Sequence, residues 1–241
     1  MSRGLDGGHG GTGGDWLGTV SDATELRGAA GAAGATYGPH GGLAGSADPY
    51  DAEAYRVLRS RINLSGLPPL TRAVTEHVLC ATADFDYVTD LVCDERALMA
   101  GAEALASGAP VVADAATVAV GISGSPVICK AAEALAARLA RTTGITVSAA
   151  GVRLGFGESG PGAVWVVGSA PEAVAEILRR AVEPALVIAF PVGFAGAATV
   201  KDDLRASGLP SLTNVSEKGG PAVAIAAFTA LQRAASGHQL P

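Results

Sequence analysis

Residues 78–91 read VLCATADFDYVTDL. A thiol, Cys80, closes an apolar run, and three carboxylates follow it, Asp84, Asp86 and Asp90, with two rings between them, Phe85 and Tyr87. His77 stands three positions before the thiol, on nearly the same face if the segment is helical. A thiol and an imidazole one turn apart can move protons, and carboxylates beside them can orient a donor or hold a cation. The same stretch also reads as the end of a buried helix followed by a polar turn, with Cys80 inert in packing and His77 a half-exposed helix residue.

Four further places carry candidate chemistry. In FPVGFAGA (190–197) glycines follow a strand and open a helix, so the backbone can approach an anion; an ordinary strand-to-helix turn reads the same way. Lys218, Gly219 and Gly220 precede the last helix and suit a carboxylate or phosphate, or else a capped helix with an exposed lysine. Asp114, at the end of PVVAD, sits where ligands of parallel sheets bind, or caps a helix beginning near Ala115. Ser148 caps a helix or touches ligand, and Cys129 at a strand end reads as core. GFGESG (155–160) matches a dinucleotide fingerprint literally, but it precedes a strand where the mechanism needs it to follow one, so it reads as a loop.

Those residues need elements to hold them. Helical spacing covers 51–63 and 69–80; Asp94 caps a third helix that stops near Gly108. Short apolar strands then alternate with helices: 110–114, 126–129, 163–169 and 185–190, with Pro171 opening the helix after the third. The pattern predicts an α/β fold, a three-layer α/β/α sandwich with a mostly parallel sheet, whose ligands lie beyond the carboxyl ends of the strands.

The chain has 241 residues, and its first 47 hold 15 of the 33 glycines. That segment, 1–47, buries too little to offset its ordering entropy and is expected to be mostly disordered, with a short helix possible from Trp16 to Leu26. It lacks the apolar stretch of a signal peptide. Residues 48–241 form the folded domain. A net charge of −6 without a basic run excludes a duplex nucleic-acid partner, and no apolar run is long enough for a membrane span. Three cysteines without CxxC argue for a reducing cytoplasm, against disulfides and structural zinc. His77 is the one histidine of the folded body, 48 to about 236, since His9, His40 and His238 lie in the tail regions, so no multi-histidine metal site is expected there.

Five segments in order, TADFDY (82–87), ALMAGAEALASGAPVVADAATVAVGI (97–122), VGSAPEAV (167–174), FPVGFAGA and KGGPAVAIAA, resemble the precorrin-8X methylmutase family, including its cobalt-precorrin-8 branch. The likeness runs from about residue 50 to 236. It implies a homodimeric isomerase of cobalamin biosynthesis that moves a methyl group from C11 to C12 of a corrin precursor, with neither redox cofactor nor metal catalysis. The substrate is a tetrapyrrole bearing many carboxylates. A histidine is the family's proton carrier, and the resemblance places that position on Cys80, with His77 where the family has a substrate-contacting arginine. The same resemblance assigns substrate contacts to Ala54, Thr82, Asp86, Asp114, Ser148, Lys218, Gly219 and Gly220. It also shows departures: Ala54 stands for a serine, Val147 for an arginine and Ser169 for an asparagine. Most of these changes remove a group able to bind or protonate substrate. The alternative is a diverged member that binds a tetrapyrrole without chemistry or acts on another substrate.

Overall fold

A computed structural model describes residues 49–180 and 182–237. The glycine-rich segment, the helix expected near Trp16 and three of the four histidines lie outside the described residues. The described chain runs α1 (Pro49–Arg61), α2 (Pro69–Thr82), α3 (Tyr87–Asp90), β1 (Leu91–Cys93), α4 (Glu95–Ala106), β2 (Val111–Ala113), α5 (Ala116–Gly121) and β3 (Val127–Ile128). It continues through α6 (Ala134–Thr143), α7 (Val147–Ser159), β4 (Val164–Val167), α8 (Pro171–Arg180), β5 (Leu186–Ala189), α9 (Ala197–Ala206), β6 (Ser211–Asn214) and α10 (Pro221–Ala235).

The strands form one sheet in the order β1-β6-β5-β4-β2-β3, parallel except for β1, which pairs antiparallel with β6. Strands β4 and β5 are buried on both faces, as their unbroken apolar runs require. Alternate side chains point to opposite layers. Val164, Val166, Leu186, Ile188 and Leu212 meet α2, α4 and α10 in the larger core, while Val112, Trp165, Val167, Val187 and Ala189 meet α7, α8 and α9. Full burial of such a side chain is worth about 1.5–3 kcal/mol, so a one-residue register slip would cost the sheet both layers at once. The expected three-layer sandwich is the observed one.

Two strands escape sequence reading. LVC is three residues squeezed between a helical turn and the Asp94 cap, and SLTN carries polar residues into the sheet interior. The latter is tolerated because its polar groups are satisfied: Thr213 Oγ1 donates to Ala189 O at 2.7 Å, and Asn214 is bonded as described below. GFGESG is a correction. Its first five residues continue α7 to Ser159, and the turn falls only at Gly160. Gly155 is there for contact: a Cβ would sit 2.8 Å from Val112 Cγ1.

The caps fix where helices begin. Asp94 accepts from Arg96 N and Ala97 N, as expected. Helix α2 has no cap of its own; instead the Glu95 carboxylate, from α4, accepts from Leu70 N at 2.8 Å and Thr71 N at 2.9 Å. Helix α2 is thus pinned to α4 at one end and ends at the other with Ala83 in the left-handed region, φ 53°. An alanine there costs about 1 kcal/mol and turns the chain sharply into TADFDY.

Candidate functional site

The antiparallel return of β1 brings the acidic stretch to the carboxyl end of β6. Asp90 closes α3 and faces the loop after Asn214. Its Oδ1 accepts from Val215 N at 3.0 Å and Ser216 N at 2.7 Å, and its Oδ2 accepts from Ser216 Oγ at 2.7 Å and Asn214 Nδ2 at 2.8 Å. Burial alone would raise this carboxyl, but the bonds from Asn214 and Ser216 outweigh it and hold the group below its ordinary value.

One loop further, Lys218 Nζ donates to Asp84 Oδ2 and Asp86 Oδ2, both at 2.6 Å, and lies 5.9 Å from the Tyr87 ring centre. The clasp lowers Asp84 and raises Lys218. Burial, with the charges of Asp90 and Asp84, pushes the Tyr87 phenol up to about 12, so it stays a neutral donor. Thr82 ties this loop to α2: its hydroxyl donates to Val78 O and accepts from Asp84 N.

The turn at Gly219 and Gly220 is tightly set. Gly220 N donates to Phe190 O at 2.8 Å and Gly193 N donates to Glu217 O at 3.1 Å, which joins the glycine loop after β5 to the loop after β6. A Cβ on Gly219, at φ +154°, would stand 2.4 Å from Phe190 O, so only glycine fits. Pro221 opens α10 without an N–H, and the next amides of its first turn, Ala222 and Val223, have no acceptor within the helix.

Cys80 and His77 lie on α2, one turn before this knot. Cys80 is half-buried against the larger core, outside any disulfide and not sealed. His77 is buried, not half-exposed. Its Nδ1 lies 3.0 Å from Ala73 O, an acceptor, so that nitrogen carries the proton; Nε2 faces Arg233 Nη1 at 3.4 Å and accepts. The ring packs edge-on to Tyr55, 5.4 Å away. Both imidazole nitrogens are thus engaged by protein. Beside them Arg59 forks onto Glu76 at 2.6 and 3.1 Å and lies over Tyr55. Glu76 raises the Arg59 guanidinium, to which the Cys80 sulfur lies near enough to contribute.

Asp114 occupies a separate seam. Oδ1 accepts from Gly168 N at 3.1 Å, and Oδ2 accepts from Ser169 N at 2.9 Å and Ala170 N at 3.1 Å. It therefore ties the end of β2 to the turn that starts α8, and it makes no cap bond to the helix after Ala115. Burial outweighs the three amides and raises its carboxyl. The seam abuts α10, since a Cβ on Gly168 would meet Pro221 Cα at 2.9 Å. The Cys129 thiol is raised first by burial and also by the charge of Asp114. Ser148 is half-buried in the first turn of α7, where Thr146, not Ser148, caps by accepting from Ala149 N. Ala54 is exposed on α1.

The structure therefore joins Thr82, Asp86, Lys218, Gly219 and Gly220, with Cys80 and His77 leading into them. Asp114 acts through Gly168, and neither Ser148 nor Ala54 has a side-chain bond to the knot. Sequence reading missed Lys201, Arg59 and Arg233. Lys201 had a signal: Ala197, Val200, Lys201 and Leu204 follow the i, i+3, i+4, i+7 stripe of a buried face. Among the described residues, no group of three or more His, Cys, Asp or Glu is arranged to hold a metal.

Backbone amides, a clasped lysine and a half-buried thiol gather at the carboxyl edge of a parallel sheet covered by helices on both faces, the arrangement of an α/β protein. A family model described as precorrin-8X methylmutase matches residues 51–234. The chain belongs to the precorrin-8X methylmutase family. It is 37% identical over 191 residues to the precorrin-8X methylmutase of Pseudomonas aeruginosa, covering 74% of this chain and 91% of that one. It is 33% identical over 170 residues to the cobalt-precorrin-8 methylmutase of Salmonella typhimurium, covering 68% and 81%. A crystal structure of precorrin-8X methylmutase from Thermus thermophilus superposes with a TM-score of 0.70 at 29% identity, covering 78% of this chain and 98% of that one.

Proposed function

We propose that the protein is a methylmutase isomerase of cobalamin biosynthesis that moves a methyl group from C11 to C12 of a corrin precursor. The observation that carries this reading is the family match across 51–234, nearly the whole described fold, with the clasp and glycine turn at the strand ends inside it.

In this reading the substrate's carboxylates rest on the Gly219–Gly220 turn and the first amides of α10, where the helix dipole favours negative charge. A substrate carboxylate competes with Asp86, the more exposed arm of the clasp, for Lys218. Cys80 lends its S–H proton to the macrocycle, the methyl migrates, and the ring returns the proton to sulfur. The proton count and oxidation state are unchanged, so this scheme routes no step through a redox cofactor. His77 holds a positioning role, because its nitrogens already serve Ala73 and Arg233.

We also infer a homodimer acting in the cytoplasm. Support for the location is the absence, among the described residues, of a helix long and apolar enough to cross a membrane, together with three cysteines that form no disulfide. The assay is incubation with precorrin-8X and observation of the hydrogenobyrinic acid spectrum. Tight binding without turnover would eliminate the reading for that substrate and leave a corrinoid-binding protein in its place.

A further inference from the structure

Lys201 is a buried charge that the scheme above does not use. It is 0% exposed, on the apolar stripe of α9. A lysine goes to such a place only when its donors are satisfied. Here Nζ donates to Asn214 Oδ1 at 2.8 Å, Ser216 O at 2.5 Å and Lys218 O at 2.9 Å. An ammonium has three N–H donors, and each meets an oxygen. A neutral amine has two donors and a lone pair, so one of the three oxygens would lose its partner.

Two of those oxygens belong to the loop that leads into Gly219 and Gly220. The third belongs to Asn214, whose Nδ2 donates in turn to Asp90 Oδ2 and, at 3.0 Å, to Lys218 O. The loop is therefore gripped from below by Lys201 and from the side by Asp90. We propose that Lys201 is a positioning residue that fixes the Ser216 and Lys218 carbonyls and, through them, the Gly219–Gly220 turn. That the turn holds substrate rests on the function proposed above; that Lys201 sets the turn does not.

The charged groups facing Lys201 are Asp90 from α3, Arg205 from its own helix and Glu217 from the loop. Burial lowers it to about 8, opposed by Asp90 and Glu217 and reinforced by Arg205. Opening of the turn alone leaves Lys201 on the buried stripe of α9 without its three acceptors, which lowers it further. The proton therefore favours the gripped turn, and the grip is expected to slacken as pH rises to about 8, below the range of an ordinary lysine near 10.4.

Amide hydrogen exchange on the full-length protein without ligand tests this directly. Between about pH 6.5 and 9.5, after correction for intrinsic base catalysis, the Gly220 amide should lose about tenfold in protection through a transition near 8, while Val166 and Ile188 in the sheet stay level. Lys201→Met should start at low protection for 216–220 and show no transition. It should also raise KM for precorrin-8X about tenfold and leave kcat within about threefold. A wild-type Gly220 amide with flat protection across that pH range overturns the proposal, as does a Lys201→Met protein whose sheet exchanges as fast as its turn. If the variant does not fold, the wild-type pH series decides alone. If the wild-type protein has no methylmutase activity, the exchange result still stands and the failure belongs to the proposed function.

Discussion

Replacing Cys80 by histidine should raise turnover. The thiol is half-buried on the last turn of α2, so part of the residue reaches the surface and an imidazole has a direction in which to extend. The reference acidities are about 8.5 for a thiol and about 6.5 for imidazolium, a gap of about 2.7 kcal/mol in readiness to give up a proton. If about half of that gap is expressed in the transition state, kcat rises about tenfold; full expression gives about a hundredfold. Steric cost is expected to stay under about 1.5 kcal/mol, because the neighbouring Arg59 is itself partly exposed and can yield. The measurement is single-turnover conversion of precorrin-8X at neutral pH by the wild type, Cys80→His and Cys80→Ala, with binding followed separately by absorbance titration. The reasoning fails if Cys80→Ala turns over as fast as the wild type, or if Cys80→His binds equally well and gains nothing.

Three other outcomes are expected. Glu176 is 0% exposed and accepts from Arg153, Arg179 and Arg180; Glu176→Gln should lose about 2 kcal/mol and lower Tm by roughly 4–8 °C, the arginines recovering part of the loss in water. Burial alone would raise the Glu176 carboxyl, yet Arg153 and Arg180 bring it below 4.5, so its stabilisation is present above that pH and lost as pH falls through the lower folded value; Glu176→Gln should flatten that acid limb in a melting series. Gly219→Ala should cost about 1–3 kcal/mol through its backbone angle and its collision with Phe190 O, and should abolish corrinoid binding in a titration. Asp114→Asn should cost about 1–3 kcal/mol in urea unfolding, because its NH₂ must face an amide of Gly168, Ser169 or Ala170 where an oxygen now accepts.

The middle of the fold is legible in the sequence because its physics is local. Strands β2 to β5 are apolar runs, Asp94 is a cap, and Pro171 opens a helix; each signal sits within a few residues of the structure it causes. The edge beyond β5 is not local. LVC forms a strand only because SLTN is present to pair with it, and SLTN can be buried because Asp90, Ala189 and Lys201 satisfy its polar groups. The site divides the same way. Lys218, Gly219 and Gly220 announce themselves by type, and Asp86 by its neighbours. Asp114 carries the right type at the right strand end, yet its bonds go to a turn 54 to 56 residues away. His77 reads as an available imidazole until Arg233, 156 residues later, is found across from it.

The β1–β6 pairing joins Leu91–Cys93 to Leu212–Asn214, and the clasp spans 134 residues from Asp84 to Lys218. One half of the proposed ligand seat is thus translated early and the other almost last. A nascent chain lacking its final stretch has neither the lysine arm of the clasp nor the helix that covers Val166, Ile188 and Leu212. Truncation before Pro221 should accordingly silence the protein and also uncover the sheet face that α10 packs, so that the edge knot and the inner strands are completed together, at the end of synthesis.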